Sequence, residues 1–239
     1  MNIEKRTLLK RLENDEMQVM GQFTWGSNFT FLSKIGKGSN AMEAVYKPQR
    51  GERPLWDFPT ETLAGREIAA YLVSEALGWG LVPPTIFRED GPLGPGSLQL
   101  RVEHDPEQHY FTFDEATRRR LRPVALFDVI VNNADRKGGH ILLAGDGKLW
   151  LIDHGICFHE EPKLRTVVWD FVGEEIPHEL IEDVDVLRTK LDGSLRQELG
   201  KFLSEVELVA MDERTETLLA ERHFPVPPAD QRATPWPPV

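Results

Sequence analysis

Two aspartates flank a short stretch whose pattern predicts a β-hairpin. Asp135 lies in a polar turn after an apolar, helix-like run, and Asp153 follows the second of two short apolar segments, residues 141–143 and 149–152. The sequence Ala-Gly-Asp-Gly-Lys that joins these segments, residues 144–148, is typical of a tight turn between strands. We therefore expect the hairpin to place the two carboxylates side by side at one end of a small sheet.

A pair of carboxylates in this arrangement suits phosphoryl transfer. One carboxylate can orient or deprotonate an attacking hydroxyl, and the other can hold the magnesium ion that bridges the nucleotide phosphates. Kinases place a further metal ligand five positions after the catalytic aspartate, and here that position holds His140. The usual residue is asparagine, so the histidine leaves both the choice of metal and the catalytic competence open.

The sequence around these residues resembles a known family. Asn-Ala-Asp-Arg-Lys-Gly-Gly-His-Ile-Leu (133–142), followed by a hairpin and Leu-Ile-Asp-His-Gly (151–155), is similar to the catalytic and metal-binding loops of the phosphatidylinositol 3- and 4-kinase superfamily. More narrowly, residues 18–177 or so resemble small actinobacterial phosphatidylinositol-kinase-related proteins. The resemblance implies a two-lobed, protein-kinase-like α+β fold, with an antiparallel β N-lobe that carries one helix and a mainly helical C-lobe.

The resemblance also implies roles for individual residues. Asp135 would act as base or orienting group, Arg136 would brace the loop, and Lys137 would neutralise charge on the transferring phosphoryl group. His140 and Asp153 would hold the metal, which would be Mg or Mn beside ATP. Because magnesium prefers oxygen ligands, a histidine favours Mn or Zn over Mg at this place.

The elements that would hold the nucleotide come earlier in the chain. Apolar alternation over residues 17–25 and 29–35, and an apolar strand at residues 42–46, predict a three-stranded meander. This is the strand order of a kinase N-lobe, in which the tip of the first hairpin covers the phosphates and a lysine from the third strand reaches them. The predicted phosphate loop is Gly26, Ser27 and Asn28, and the predicted lysine is Lys47.

A helix predicted over residues 60–78 would supply the carboxylate partner of Lys47. By resemblance this partner is Glu67, with Glu61 and Glu75 as competitors. Two further strands, residues 81–87 and 97–103, would lead into a hinge whose backbone groups meet the adenine edge. The residues of that hinge are Arg101, Val102 and Glu103.

Composition limits the classes of partner. The formal net charge of −11 over 239 residues argues against a nucleic-acid partner, because proteins that bind nucleic acid usually present a basic surface. The chain shows neither a signal peptide nor an apolar run long enough to cross a bilayer, so we expect a cytoplasmic protein without stable membrane association. The basic patch from Arg118 to Arg122 could meet phosphate groups, but a solvated helix face is the simpler interpretation. The single cysteine, Cys157, allows no intramolecular disulfide.

The domain division follows from these assignments. Residues 1–103 form the predicted N-lobe, residues 104–223 the predicted C-lobe with three late helices, and residues 224–239 a proline-rich tail that is mobile or wrapped along the surface. Residues 158–177 form the predicted activation or substrate loop.

The leading hypothesis is an ATP-dependent kinase that phosphorylates a hydroxyl on a lipid, a protein or a small molecule. One alternative is a nucleotide-binding pseudokinase that serves as an interaction module, which the unusual His140 motivates. Nucleotidyl transfer from the same fold is another. A transition-metal site built from His140, Asp153, His154 and His159 is a weaker idea, because the spacing fits no zinc signature.

Overall fold

The computed structural model describes residues 3–23, 29–229 and 232–239. The strands are β1 (Met17–Gln22), β2 (Phe31–Ile35), β3 (Met42–Pro48), β4 (Thr85–Arg88), β5 (Gly96–Leu100), β6 (Ile141–Leu143) and β7 (Leu149–Leu151). The helices are α1 (Ile3–Asn14), α2 (Leu63–Ala76), α3 (Glu115–Arg119), α4 (Arg122–Ile130), α5 (His178–Leu191), α6 (Ser194–Leu199) and α7 (Glu205–Glu221).

The first five strands form one antiparallel sheet in the order β1-β2-β3-β5-β4. The predicted meander is therefore present as β1, β2 and β3. Strand β5 pairs with β3 so that Ser97 lies opposite Lys47, which puts Lys47 on the middle strand of the sheet, one residue before that strand ends. Strand β5 ends at Leu100, earlier than predicted, and the chain leaves the sheet at the predicted hinge.

Helix α2 is buried on almost every side. Its sequence, rich in alanine, favours a helix, and 11 of its 14 residues are buried. The buried residues include Arg66 and Glu67, which form ion pairs with Glu207 and Lys47. Gly65 allows a close approach, since a Cβ atom there would lie 3.3 Å from Phe202. The helix packs against the sheet through β4 and β5 and against the C-terminal helices α5 and α6.

The buried apolar side chains form two clusters. The smaller cluster lies between α1 and the sheet and contains Leu12, Ile35, Ala44, Tyr46 and Leu98. The larger joins α2 to α4, α5 and α7 and to the hairpin of β6 and β7. Because α2 belongs to the larger cluster, packing against the C-terminal half fixes the position of its side chains relative to the hairpin. The division after residue 103 stays a prediction.

Helix α4 begins at Arg122, so Pro123 occupies its second position. Proline is tolerated there because N–H groups in the first turn have no intrahelical partner. None of the helices in the described ranges is long and apolar enough to span a bilayer.

Candidate active site

Lys47 lies at the centre of the candidate site. Its Nζ forms an ion pair with Glu67 Oε1 from α2 and lies 2.8 Å from Asp153 Oδ1, which follows β7. Burial works against the ammonium charge, but Asp153 and Glu67 outweigh it and raise the pKa of Lys47. The Lys47 ammonium in turn holds the pKa of Asp153 well below its usual range. Three elements distant in sequence thus meet through one cation.

The competing glutamates are placed elsewhere. Glu75 pairs with Lys5 of α1 at 2.7 Å. Glu61 precedes α2 in a left-handed conformation, with φ 62°. The ion pair that the resemblance implies between Lys47 and Glu67 is therefore the one present, and its role toward a nucleotide stays a prediction.

Glu67 also holds the loop that carries Asp153. Its Oε2 accepts a hydrogen bond from the backbone N–H of His154 at 2.9 Å, and the Glu67 side chain is only 3% exposed. Asp153 itself has φ 62°, in the left-handed region that aspartate enters more readily than most residues. Glu67 therefore fixes both Lys47 and the loop that carries Asp153, whose side chain faces Lys47.

Asp135 and Lys137 lie beside this cluster. Lys137 Nζ is 3.5 Å from Asp135 Oδ2, and the Asp135 backbone N–H donates to Asn133 Oδ1 at 2.9 Å. Burial raises the pKa of Asp135 to about 6, against the opposing charge of Lys137. A carboxyl group with that pKa is ionised at pH 7.5 and is more basic than an ordinary aspartate.

Arg136 anchors the turn of residues 132–140, here called the catalytic turn after the role that the resemblance implies. Its guanidinium and the carboxylate of Asp128 in α4 are both fully buried, with Nε 3.0 Å from Oδ1. Arg136 also donates to Ile152 O at 2.9 Å and to His154 Nε2 at 2.8 Å. Asp128 in turn accepts from Asn133 and Thr166. This network ties α4, the catalytic turn and the Asp153 loop into one unit.

His140 faces Asp153. The two side chains approach at 3.4 Å between Nε2 and Oδ2, and His140 is 14% exposed. Burial lowers the pKa of His140 to about 4, so the imidazole is neutral at pH 7. A neutral imidazole and a carboxylate can both donate electron pairs to a divalent cation.

The other histidines do not join this pair. His154 uses Nε2 to accept from Arg136, and His159 Nε2 lies 2.9 Å from Asp57 O. Within the described ranges no group of three or more His, Cys, Asp or Glu side chains converges as a metal site. The transition-metal hypothesis therefore finds no support in the geometry.

The predicted hinge connects the two sheets. Arg101 donates its backbone N–H to Glu43 O at 3.0 Å and pairs with the Glu43 side chain. Val102 and Glu103 follow, and His104 forms an isolated bridge with Ala144 in the hairpin turn. The predicted phosphate loop, Gly26, Ser27 and Asn28, lies outside the described residues.

The basic patch from residue 118 to residue 122 is engaged within the chain. Arg119 pairs with Glu115 and Arg122 with Glu174, while Arg120 donates to Gly147 O. The Arg118 guanidinium lies over the ring of Tyr110, 5.1 Å from its centroid. These contacts favour the structural interpretation of the patch.

Sequence reasoning missed the residues that fix the segment after Asp153. Asn132 donates through Nδ2 to the carbonyls of His159 and Glu161, at 2.8 and 2.7 Å. Lys163 pairs with Asp57 at 2.9 Å. This ion pair joins the segment after Asp153 to the loop before α2, which contains Pro54 and Pro59. The one available signal was a second asparagine directly before the catalytic turn.

Comparison with known proteins identifies the family. The sequence profile described as Phosphatidylinositol 3- and 4-kinase matches residues 62–206, more than half of the chain. The chain belongs to the phosphatidylinositol 3- and 4-kinase family. It is 42% identical to Protein Rv2133c of Mycobacterium tuberculosis, over 95% of this chain and 93% of that protein. It is 31% identical to Phosphatidylinositol 4-kinase gamma 4 of Oryza sativa subsp. japonica, over 66% of this chain but only 34% of that longer protein.

Solved structures support the fold. The Golgi casein kinase superposes with a TM-score of 0.61 at 15% identity, covering 92% of this chain and 74% of that one. The structure described as the Golgi casein kinase with Mn and ADP bound superposes with a TM-score of 0.58 at 14% identity, covering 90% of this chain and 74% of that one. At this identity the likeness concerns the fold alone. The predicted kinase-like α+β fold and the predicted family are both confirmed.

Proposed function

We propose that this kinase-family chain is an active phosphotransferase that moves the γ-phosphoryl group of ATP to a hydroxyl acceptor. The observation that carries the proposal is the double contact of Lys47 with Glu67 and Asp153. A lysine held in this way between a helix glutamate and a metal-loop aspartate is the arrangement that kinases use to hold nucleotide phosphates.

Asp135 supplies the acid–base chemistry in this proposal. The acceptor O–H donates to the Asp135 carboxylate, the acceptor oxygen bonds to the γ-phosphorus, and the bond to the leaving ADP oxygen breaks. Asp135 takes the proton as the new bond forms, for which its pKa of about 6 is suited. Lys137 lies close enough to Asp135 to offset negative charge on the phosphoryl group.

The donor set fits a divalent cation. Asp153 and His140 would hold it, and their carboxylate and neutral imidazole suit Mn²⁺ better than Mg²⁺. A bound cation would neutralise charge on the nucleotide phosphates. The backbone groups of Arg101, Val102 and Glu103, which directly follow β5 of the sheet that carries Lys47, would meet the adenine.

Labelled ATP tests the proposal. With Mn²⁺ or Mg²⁺ and water as the default acceptor, we expect slow release of label from the γ-phosphate and formation of ADP. In Asp135→Asn this turnover should fall at least a hundredfold, the usual size of a general-base contribution, while ATP binding persists. Release of pyrophosphate with label retained on the α-phosphate would instead indicate nucleotidyl transfer.

A nucleotide-binding pseudokinase is the second candidate, because His140 occupies the position where kinases use an oxygen ligand. Metal-dependent ATP binding in the wild type without turnover above the level of Asp135→Asn would favour it.

A further inference from the structure

The end of the chain lies against the catalytic turn. In the tail segment, defined as residues 232–239, Ala233 O accepts from Thr166 N at 3.0 Å and from Trp169 Nε1 at 3.1 Å. Pro238 O accepts from Gly138 N at 2.7 Å. Pro235, between these contacts, is buried, although the neighbouring Trp236 is 75% exposed. The tail segment is thus fastened at both ends.

These contacts are next to the residues that carry the proposed chemistry. Gly138 directly follows Lys137, and Thr166 forms a parallel bridge with Arg136. The tail segment therefore runs between the catalytic turn and the middle of the predicted substrate loop, at Thr166 and Trp169. In a phosphotransferase, an acceptor must approach Asp135 from the neighbourhood of these two loops.

The surface under the tail segment, here called the tail groove, presents N–H donors to a main chain. Its donors are the amides of Gly138 and Thr166 and the indole of Trp169. Phe111 forms a wall, because a Cβ atom on Gly138 would lie 2.9 Å from its ring. Donors spaced along an apolar groove bind the carbonyls of an extended peptide, and prolines suit them since they offer carbonyls without an N–H to satisfy.

The cations of the basic patch and Lys137 contact acceptors within the chain, whereas Arg165, directly before Thr166, is exposed, so binding of a phosphorylated headgroup is kept as an outcome of the test. Arg119, Arg120 and Arg122 each donate to an acceptor within the chain, and Lys137 lies near Asp135. A site for an anionic headgroup requires cations that are available to it.

We propose that the tail groove docks the protein that carries the acceptor hydroxyl, and that the tail segment is its intramolecular occupant. An extended, proline-containing segment of the acceptor protein enters when the tail segment leaves. Docking of a peptide in the tail groove is inferred from the contacts of the tail segment with Gly138, Thr166 and Trp169. The acceptor role of that peptide rests in addition on the proposed phosphotransferase activity.

Covalent attachment to the chain helps the tail segment to exclude competing peptides. A tail on a short linker has an effective concentration on the order of millimolar. A free peptide must exceed that concentration to bind the wild type, but not to bind a variant whose tail segment has left the groove.

Pro235→Asp in the full chain tests the docking, because a charged side chain cannot stay in the buried position of Pro235. Thr234→Asp is the matched control, since Thr234 is exposed and the change adds the same charge. The probe is a fluorescein-labelled peptide with the sequence of residues 232–239, followed by anisotropy. We expect at least tenfold tighter binding to Pro235→Asp than to the wild type or Thr234→Asp.

Amide exchange by NMR gives a readout that needs no activity. The amides of Gly138 and Thr166 should exchange at least tenfold faster in Pro235→Asp, and unlabelled peptide should restore their protection. Trp169→Phe, which removes one donor to Ala233 and keeps a ring, should raise exchange at Thr166 by a smaller factor. Rapid exchange of both amides in the wild type, or equal peptide binding by all variants, would overturn the docking.

The acceptor role is tested with γ-labelled ATP and peptides that extend the tail sequence by a serine at either end. Transfer to one of them should be at least tenfold faster with Pro235→Asp than with the wild type. Peptide binding without transfer, or transfer only to phosphatidylinositol vesicles, would overturn the acceptor role. Nucleotide binding is measured in parallel: its loss in every variant would contradict the proposed function and leave the exchange and anisotropy results interpretable.

Discussion

Glu67 divides its two carboxylate oxygens between Lys47 and the backbone of His154. Oε1 forms the ion pair with Lys47, and Oε2 accepts from His154 N at 2.9 Å. One side chain on a buried helix thus sets both the lysine of the sheet and the loop that carries Asp153. Several properties of the protein should depend on this one residue.

Replacing Glu67 by alanine should destabilise the fold by about 2–4 kcal/mol, because it leaves Lys47 without one of its two carboxylate partners and a buried N–H without an acceptor. Urea unfolding measures the change through the midpoint at constant slope. Glu16→Ala is the matched control, since Glu16 pairs with Lys37 on the exposed surface. An equal loss of stability in both variants would contradict the role assigned to Glu67.

The buried pair below the catalytic turn makes a second prediction. Asp128→Ala leaves the Arg136 guanidinium fully buried without its carboxylate partner, which should cost about 3–5 kcal/mol. Thermal unfolding checks this, with Glu115→Ala in the exposed pair with Arg119 as control. Unfolding of Asp128→Ala at the same temperature as the wild type would contradict a stabilising role for the pair of Asp128 and Arg136.

Much of the framework was predictable from sequence because it follows from local patterns. Alternation of apolar and polar residues predicted the meander of β1, β2 and β3, and the turn residues 144–148 predicted the hairpin of β6 and β7. The helical spacing of apolar residues predicted helix α2. The spacing of Asp135, His140 and Asp153 pointed to one chemical site. The structure places Asp153 beside His140, and their roles are still proposals.

The contacts that were missed depend on backbone groups or on long-range packing. Nothing in the local pattern tells that Glu67 accepts from the amide of His154, or that Pro238 O meets the amide of Gly138. Asp128 did carry a signal, as a lone charge in an apolar helical run, where a buried carboxylate needs a cation. Its partner Arg136 was adjacent to the predicted base, so the pair could have been inferred.

The raised pKa of Asp135 predicts a pH-dependent effect on stability. Its folded value of about 6 exceeds the ordinary value of 3.8, so the fold favours the protonated form. That contribution is complete below pH 3.8 and is lost as the pH rises through about 6. Asp135→Asn should therefore stabilise the protein by roughly 1–2 kcal/mol at pH 7.5, allowing for partial solvent screening, and by less at pH 4.5.

Urea unfolding of the wild type and Asp135→Asn at both pH values checks the sign. A variant that is less stable than the wild type at pH 7.5 would contradict the raised pKa.

His140 should determine the metal preference. His140→Asn supplies an amide oxygen in place of the imidazole nitrogen, so the ratio of ATP turnover with Mg²⁺ to turnover with Mn²⁺ should rise by about tenfold, equivalent to roughly 1.4 kcal/mol. His140→Ala should lower turnover with both metals. An unchanged ratio in His140→Asn would remove His140 from the metal site.

The most direct test of the central claim is calorimetric titration of ATP into the wild type, Asp153→Asn and Asp146→Asn, with Mg²⁺, Mn²⁺ or EDTA. Asp146 lies exposed in the turn between β6 and β7 and matches the change in charge at a remote position. The account predicts binding that needs a divalent metal in the wild type and Asp146→Asn, and binding at least tenfold weaker in Asp153→Asn. Absence of ATP binding with either metal in the wild type, or equal binding by all three proteins, would contradict it.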